Sequence, residues 1–144
     1  MMADITHCAT FEYTPLEAPG HIRLLRVLPG VENDQLRCEC VVHDLEHDPD
    51  FTAISYTWGD PILDQLVLIN DREYYTTSSA KGVLLALRYC NAVRTVWVDA
   101  ICIDQHNLAE KTIQVQMMGQ IYAHASKTVV WLGGATVDST LAME

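Results

Sequence analysis

The spacing of apolar and polar residues changes several times along the 144-residue chain, and each change predicts an element boundary. Residues 1–20 hold Pro15 and Pro19 and little periodicity, and they read as a flexible N-terminal arm. HIRLLRVLPG follows, stopped by Pro29-Gly30, and then LRCECVVHDL. Leu36, Cys38, Cys40 and Val42 recur every second residue, the period of a half-buried strand, so an antiparallel hairpin is predicted across 22–45. The acidic EHDPD reads as a solvated loop. FTAISYTWGDP is a short strand leaving into a turn at Gly59-Asp60-Pro61, and QLVLINDREYY is a second hairpin turning at Asn70-Asp71. A helix is predicted from Thr77 or Ser78, where a hydroxyl can cap it, with Val83, Leu84, Leu87 and Cys90 on one face.

TVWVDAICI places apolar residues in succession, the pattern of a strand buried on both faces, with Asp99 and Cys102 inside it. Asn107 and Glu110 have capping-box spacing and open a helix to about His124, with Leu108, Val115, Met118, Ile121, Tyr122 and Ala125 as its apolar stripe. KTVVWLG is a third buried strand, ended by Gly133-Gly134. Strands and helices in alternation predict a parallel sheet flanked by helices. The last segment, GATVDSTLAME, reads as the start of another helix. Three core strands alone leave an exposed edge, so the chain is expected either to be part of a longer protein or to pair through that edge.

Composition narrows the function classes. Nearly half the residues are apolar and 19% are charged, which suits one domain with a sizeable core. A formal charge of −10 offers no basic face to nucleic acid or anionic lipid. No apolar run reaches the roughly 18–20 residues of a membrane span, and no basic-then-apolar leader opens the chain. Five widely spaced cysteines without such a leader read as free thiols in the cytoplasm. Cys38 and Cys40 with His43 and His47 lack zinc-site spacing, so no metal is expected. There is no glycine-rich phosphate loop, nucleophile elbow or Cys/His dyad.

The candidate chemistry lies where strands end, because open α/β sheets bind ligands beyond the carboxyl ends of their strands. Three segments reach that place: Ser55 to Asp60, Asp99 to Gln105, and Gly133-Gly134. Tyr56 and Trp58 alternate with Ser55 and Thr57, and the aromatic pair either forms a platform for a base and ribose or seals the core. A carboxylate among apolar neighbours has a raised pKa and suits acid–base work, and it can equally accept backbone N–H groups. Both readings apply to Asp99 and Asp104, the structural one weighing more for Asp104. Glu110 reads first as a capping residue, and Lys111 is a lone cation.

Taken together, IRLLRVLPG, FTAISYTWGDP and VWVDAICIDQHNLAEKTIQVQMMGQIYAHASKTVVWLGG closely resemble the heterokaryon incompatibility (HET) domain of filamentous fungi. With the flexible arm over 1–20 set apart, the resemblance implies a C-terminally incomplete HET domain over 21–144. It implies fungal non-self recognition that triggers programmed cell death, through self-association and contact with other incompatibility proteins; the charge and hydropathy above already speak against nucleic acid and membrane as partners. HET domains resemble TIR domains, which implies a TIR-like (flavodoxin-like) parallel sheet flanked by helices, with N-terminal antiparallel hairpin additions. Some TIR domains cleave the nicotinamide–ribose bond of NAD with a glutamate on the helix after the third strand, where this chain has Glu144 and Asp138. NAD is then the implied substrate, with Asp99, Asp104 and Glu144 as candidate acids and Ser55, Tyr56, Trp58 and Gln105 as candidate binding residues. A scaffold without chemistry and a regulator that holds a nucleotide uncleaved are the alternatives.

Overall fold

A computed structural model of the chain describes residues 9–131 and 140–143. Their elements run β1 (His21–Val27), β2 (Arg37–Asp44), β3 (Thr52–Tyr56), β4 (Gln65–Ile69), β5 (Arg72–Thr76), α1 (Ser78–Leu87), β6 (Arg94–Val98), α2 (Asp99–Cys102), α3 (Leu108–His124), β7 (Lys127–Trp131) and β8 (Thr140–Met143). All the strands join one sheet in the order β5-β4-β2-β1-β6-β3-β7-β8. The fold is mixed α/β. Only β6-β3-β7 form a continuous parallel run, with Ile54 paired to Val98 on one side and Val129 on the other. β1 is antiparallel to both β2 and β6, so the N-terminal hairpin extends the sheet instead of lying apart from it.

Both predicted hairpins form. The second turns tightly because Asn70 and Asp71 both adopt left-handed backbone, the two-residue turn whose twist matches that of its flanking strands. α1 starts as predicted, with the Thr77 hydroxyl accepting the Ala80 N–H at 3.1 Å. The apolar succession in β6 also holds: Val96, Trp97 and Val98 are fully buried, and Trp97 meets the Tyr122 ring edge-on at 5.7 Å.

Four expectations are corrected. The strand predicted through Ile103 stops at Val98, so Asp99 and Cys102 lie in the single helical turn α2. Thr140–Met143 is a strand and not helix, and it pairs antiparallel with β7, so β7 is not the exposed edge. The stripe on α3 holds only in its second half: Ile121 is buried and Met118, Tyr122 and Ala125 pack against the core, while Leu108 and Val115 face solvent, Gln114 is buried in the first half, and Cys90 lies exposed beyond α1. A period of 3.6 only ranks faces, and a buried polar residue moved the ranking here. Finally, Asn107 does accept the Glu110 N–H, but the Glu110 side chain does not return to Asn107; it pairs with Arg23. From Ala9 the arm lies along β5, where the Phe11 N–H donates to the Glu73 carbonyl and the Glu73 N–H donates to the Ala9 carbonyl, and Phe11 enters the core.

Candidate functional site

β3 and β6 run parallel side by side and deliver Tyr56 and Val98 to the same end of the sheet. The chain then leaves β3 through Trp58 and Gly59 and leaves β6 through Asp99. Tyr56 and Trp58 stack, with ring centroids 6.5 Å apart and planes 13° from parallel. Gly59 holds this loop against the start of α1. Its φ is +66°, and a Cβ there would come within 2.8 Å of Ser79 Oγ. We therefore expect Gly59→Ala to cost about 1–2 kcal/mol in urea unfolding and to alter the fluorescence of Trp58; unchanged values for both would place the loop elsewhere.

Asp99 lies close to Trp58 and Tyr56. Burial raises the pKa of its carboxyl; the Trp58 indole and the backbone N–H groups of Ala100 and Asp99 itself pull it back without cancelling that effect. The same burial, reinforced by the Asp99 charge, pushes the phenols of Tyr56 and Tyr122 upward. Tyr122 donates to the Ile54 carbonyl at 3.1 Å, next to Ser55. The Tyr56 hydroxyl is buried with no hydrogen-bond partner among the described residues. Tyr56, Trp58 and Asp99 thus come together, with Ser55 at the margin.

The other candidates serve the loop. Asp104 accepts the His106 N–H at 3.2 Å and turns its carboxylate into its own bend. Gln105 Nε2 donates to the Asp99 carbonyl at 2.8 Å. Glu144 lies outside the described residues, as do Asp138 and Gly133-Gly134. No cluster of three or more His, Cys, Asp or Glu suits a metal among the described residues. Four cysteines are free, Cys8 being outside them; burial pushes the Cys38 thiol up to about 12 and Cys40 to about 11.

What fixes Asp99 was not read from the sequence. The last carbonyls of a helix lack helical partners; in the single turn α2 only the Asp99 carbonyl has one, the Ile103 N–H at 3.4 Å, and all four carbonyls accept from a side chain. Gln105 serves Asp99, Tyr74 serves Ala100 at 3.3 Å, Tyr13 serves Ile101 at 2.7 Å, and Arg23 serves Cys102 at 3.2 Å. Arg23 is fully buried and grips Glu110 with both terminal nitrogens, at 2.5 and 2.8 Å. Its remaining bonds go to the Thr14 carbonyl, and the Tyr13 ring lies 4.7 Å from its charge. Glu110 also accepts the Asp104 N–H at 2.8 Å. The signal available was Arg23 itself, a cation in the middle of the otherwise apolar IRLL.

The profile of the family described as Heterokaryon incompatibility protein (HET) matches residues 51–144, about two thirds of the chain. The chain belongs to the HET family. Its members are known broadly for fungal non-self recognition and cell-death signalling. A curated relative is the heterokaryon incompatibility protein 6, OR allele, of Neurospora crassa, 35% identical over 150 aligned positions. The alignment covers 94% of this chain but only 22% of that protein, so the chain spans about a fifth of the relative it matches. No solved structure matches the HET chain. The matched span contains the Tyr56–Trp58–Asp99 cluster and Glu110, while Arg23 and Tyr13 precede it. No helix among the described residues is long and apolar enough to cross a membrane.

Proposed function

We propose that this HET domain is a signalling module of fungal non-self recognition that triggers programmed cell death by self-association, with the Tyr56–Trp58–Asp99 cluster as a nucleotide site controlling that state. The observation carrying the proposal is the cluster: a stacked aromatic pair beside a carboxyl whose ionisation burial disfavours, at the ends of two parallel strands. Packing alone has no need of a carboxyl there. Taking β3, β6 and β7 as first, second and third, their spatial order is second-first-third, which supports a flavodoxin-like and TIR-like reading. Ligands of such sheets bind at this end. Self-association is assigned to the outer face of α3, since Leu108 and Val115, one heptad apart, are both exposed while β8 occupies the edge of β7.

A second reading is cleavage of the nicotinamide–ribose bond of NAD. The stacked Tyr56 and Trp58 would hold the base, Asp99 or Glu144 would meet developing positive charge at the ribose, and Ser55, Gln105 and Asp104 would shape the rim. It draws support from the burial of Asp99, and the strand at Thr140–Met143 leaves less room for the helix that carries the glutamate in TIR enzymes. Cytoplasmic residence fits either reading.

The test is induced expression in fungal hyphae. Wild type is expected to kill the expressing compartments, and Leu108→Asp/Val115→Asp to abolish killing while leaving the circular-dichroism melt within about 0.5 kcal/mol, as for exposed positions. Killing by a double variant that stays monomeric in light scattering would remove self-association from the mechanism.

A further inference from the structure

β1 pairs with β2 along its length, whereas the other side of β2 is paired only at Arg37 and Cys38, by β4. The Leu28 N–H donates to the Arg37 carbonyl and the Leu45 N–H to the Gly20 carbonyl, so the odd-numbered residues of β2 face β1. The even-numbered ones turn their N–H and C=O groups the other way. Asn70 takes the Cys38 carbonyl at 2.9 Å and the Cys40 N–H at 3.0 Å, before the chain turns back through Asp71. At the far end, the Asp44 carbonyl is used by the short 3-10 turn over Leu45–His47.

The Cys40 carbonyl, the Val42 N–H and carbonyl, and the Asp44 N–H are left with no partner among the described residues. Clefts of about 390 and 250 Å³ open there, and Cys40, Val41 and Asn70 line both. An open row of strand groups is a template for another strand. This row is its own complement. Set antiparallel about a two-fold axis at Val42, a second copy exchanges both bonds with Val42, and each Asp44 N–H meets the other copy's Cys40 carbonyl. Every open group is then paired. Slipping the strands by two residues either way leaves half of the row unpaired, since the Cys40 N–H and the Asp44 carbonyl are already spent.

We propose that the outer edge of β2 is an interface between two copies of this chain, joined antiparallel about Val42. In that register Val42 faces Val42, Val41 faces His43 and Cys40 faces Asp44, so no like charges stand directly opposite. The nearest other charges are already paired within each chain, Arg26 with Glu39 and Arg37 with Asp71. A strand edge this short buries little surface, which places the contact among weak and transient ones. It goes beyond the α3 face assigned above and does not depend on it. Where α3 associates as well, two distinct contacts on one chain let copies add in a row.

Sedimentation of Leu108→Asp/Val115→Asp, in which the α3 face is disabled, isolates the edge. In about 0.5 M salt, which screens the charge of −10 on each copy, we expect monomer at low micromolar chain and dimer at about 1 mM. In a mixture of carbon-13-labelled and unlabelled chains, filtered nuclear Overhauser effects should join Val41 Hα to His43 Hα of the other copy, the close non-hydrogen-bonded pair of this register. Val42→Pro removes an N–H that faces away from β1, and should weaken dimerisation at least about tenfold. The Overhauser contact requires no change in β2, so it decides the matter even where proline unfolds the chain. Monomer at the high concentration, contacts in another register, or a folded Val42→Pro that dimerises as well would each overturn the proposal. So would Val42 and Asp44 amides already protected from hydrogen exchange in the dilute monomer.

Discussion

Glu110→Ala is expected to lower the stability of the domain by about 3–5 kcal/mol, because it strands a buried guanidinium. Arg23 retains bonds to Thr14 and Cys102, but neither supplies negative charge. Arg23→Met should lose a comparable amount by the converse route, leaving Glu110 only 9% exposed beside an apolar side chain. The double variant Arg23→Met/Glu110→Leu discriminates between interpretations. If the pair matters only as paired charge, the double variant recovers most of the loss. We expect partial recovery, since the carbonyls of Thr14 and Cys102 still lose their donor. Urea unfolding of the single and double variants measures this directly.

The same pair sets an acid limit. Burial works against the Glu110 carboxylate, but the Arg23 guanidinium and the Asp104 N–H outweigh it and hold its pKa below the usual carboxylate range. A depressed folded pKa contributes stability that is present above the unfolded value, about 4.3 for Glu, and lost as pH falls through the folded value. Wild type should therefore weaken steeply below about pH 4, and Glu110→Gln should flatten that slope.

How much of this was legible in the sequence depended on the range of the interaction. The hairpins at 22–45 and 65–75, the caps at Thr77 and Asn107, and the start of the buried strand at 94–98 follow from local spacing, and they form where spacing put them, although the same spacing predicts a strand running on to Ile103. Contacts between distant segments left no such trace. Glu110 has the spacing of a capping box, and nothing within four residues reveals that its carboxylate reaches Arg23, 87 positions earlier. The one-turn helix α2 was hidden for a related reason. Asp-Ala-Ile-Cys is apolar enough to continue a strand, and the turn persists because Tyr13, Arg23, Tyr74 and Gln105 satisfy its carbonyls from outside. The pairing of Tyr56 with Trp58 was visible as alternation, and the greater structural weight of Asp104 agrees with its closing its own bend, whereas the contact between Asp99 and Trp58 left no local trace.

Asp99→Asn should raise the stability of the domain near neutral pH while removing the nucleotide function proposed for its cluster, and the opposite signs make this the decisive variant. The folded pKa of Asp99 is raised, chiefly by burial. A raised pKa contributes stability that is fully present below the unfolded value, about 3.9 for Asp, and is lost as pH rises through the folded value. At neutral pH the ionised carboxyl is therefore a liability that asparagine, uncharged and of the same shape, removes. The urea midpoint of Asp99→Asn should exceed wild type at pH 7 and approach it in acid. A site retained against stability is what function demands. Where wild type releases nicotinamide from NAD, Asp99→Asn should release it about 100-fold or more slowly, the usual loss when a charge-stabilising or acid–base group is removed. Where wild type only binds the nucleotide, the variant should lose binding instead. A variant less stable than wild type at pH 7, with killing intact, would make Asp99 the group that starts α2, and the neighbouring aromatic pair would then be the seal on the core.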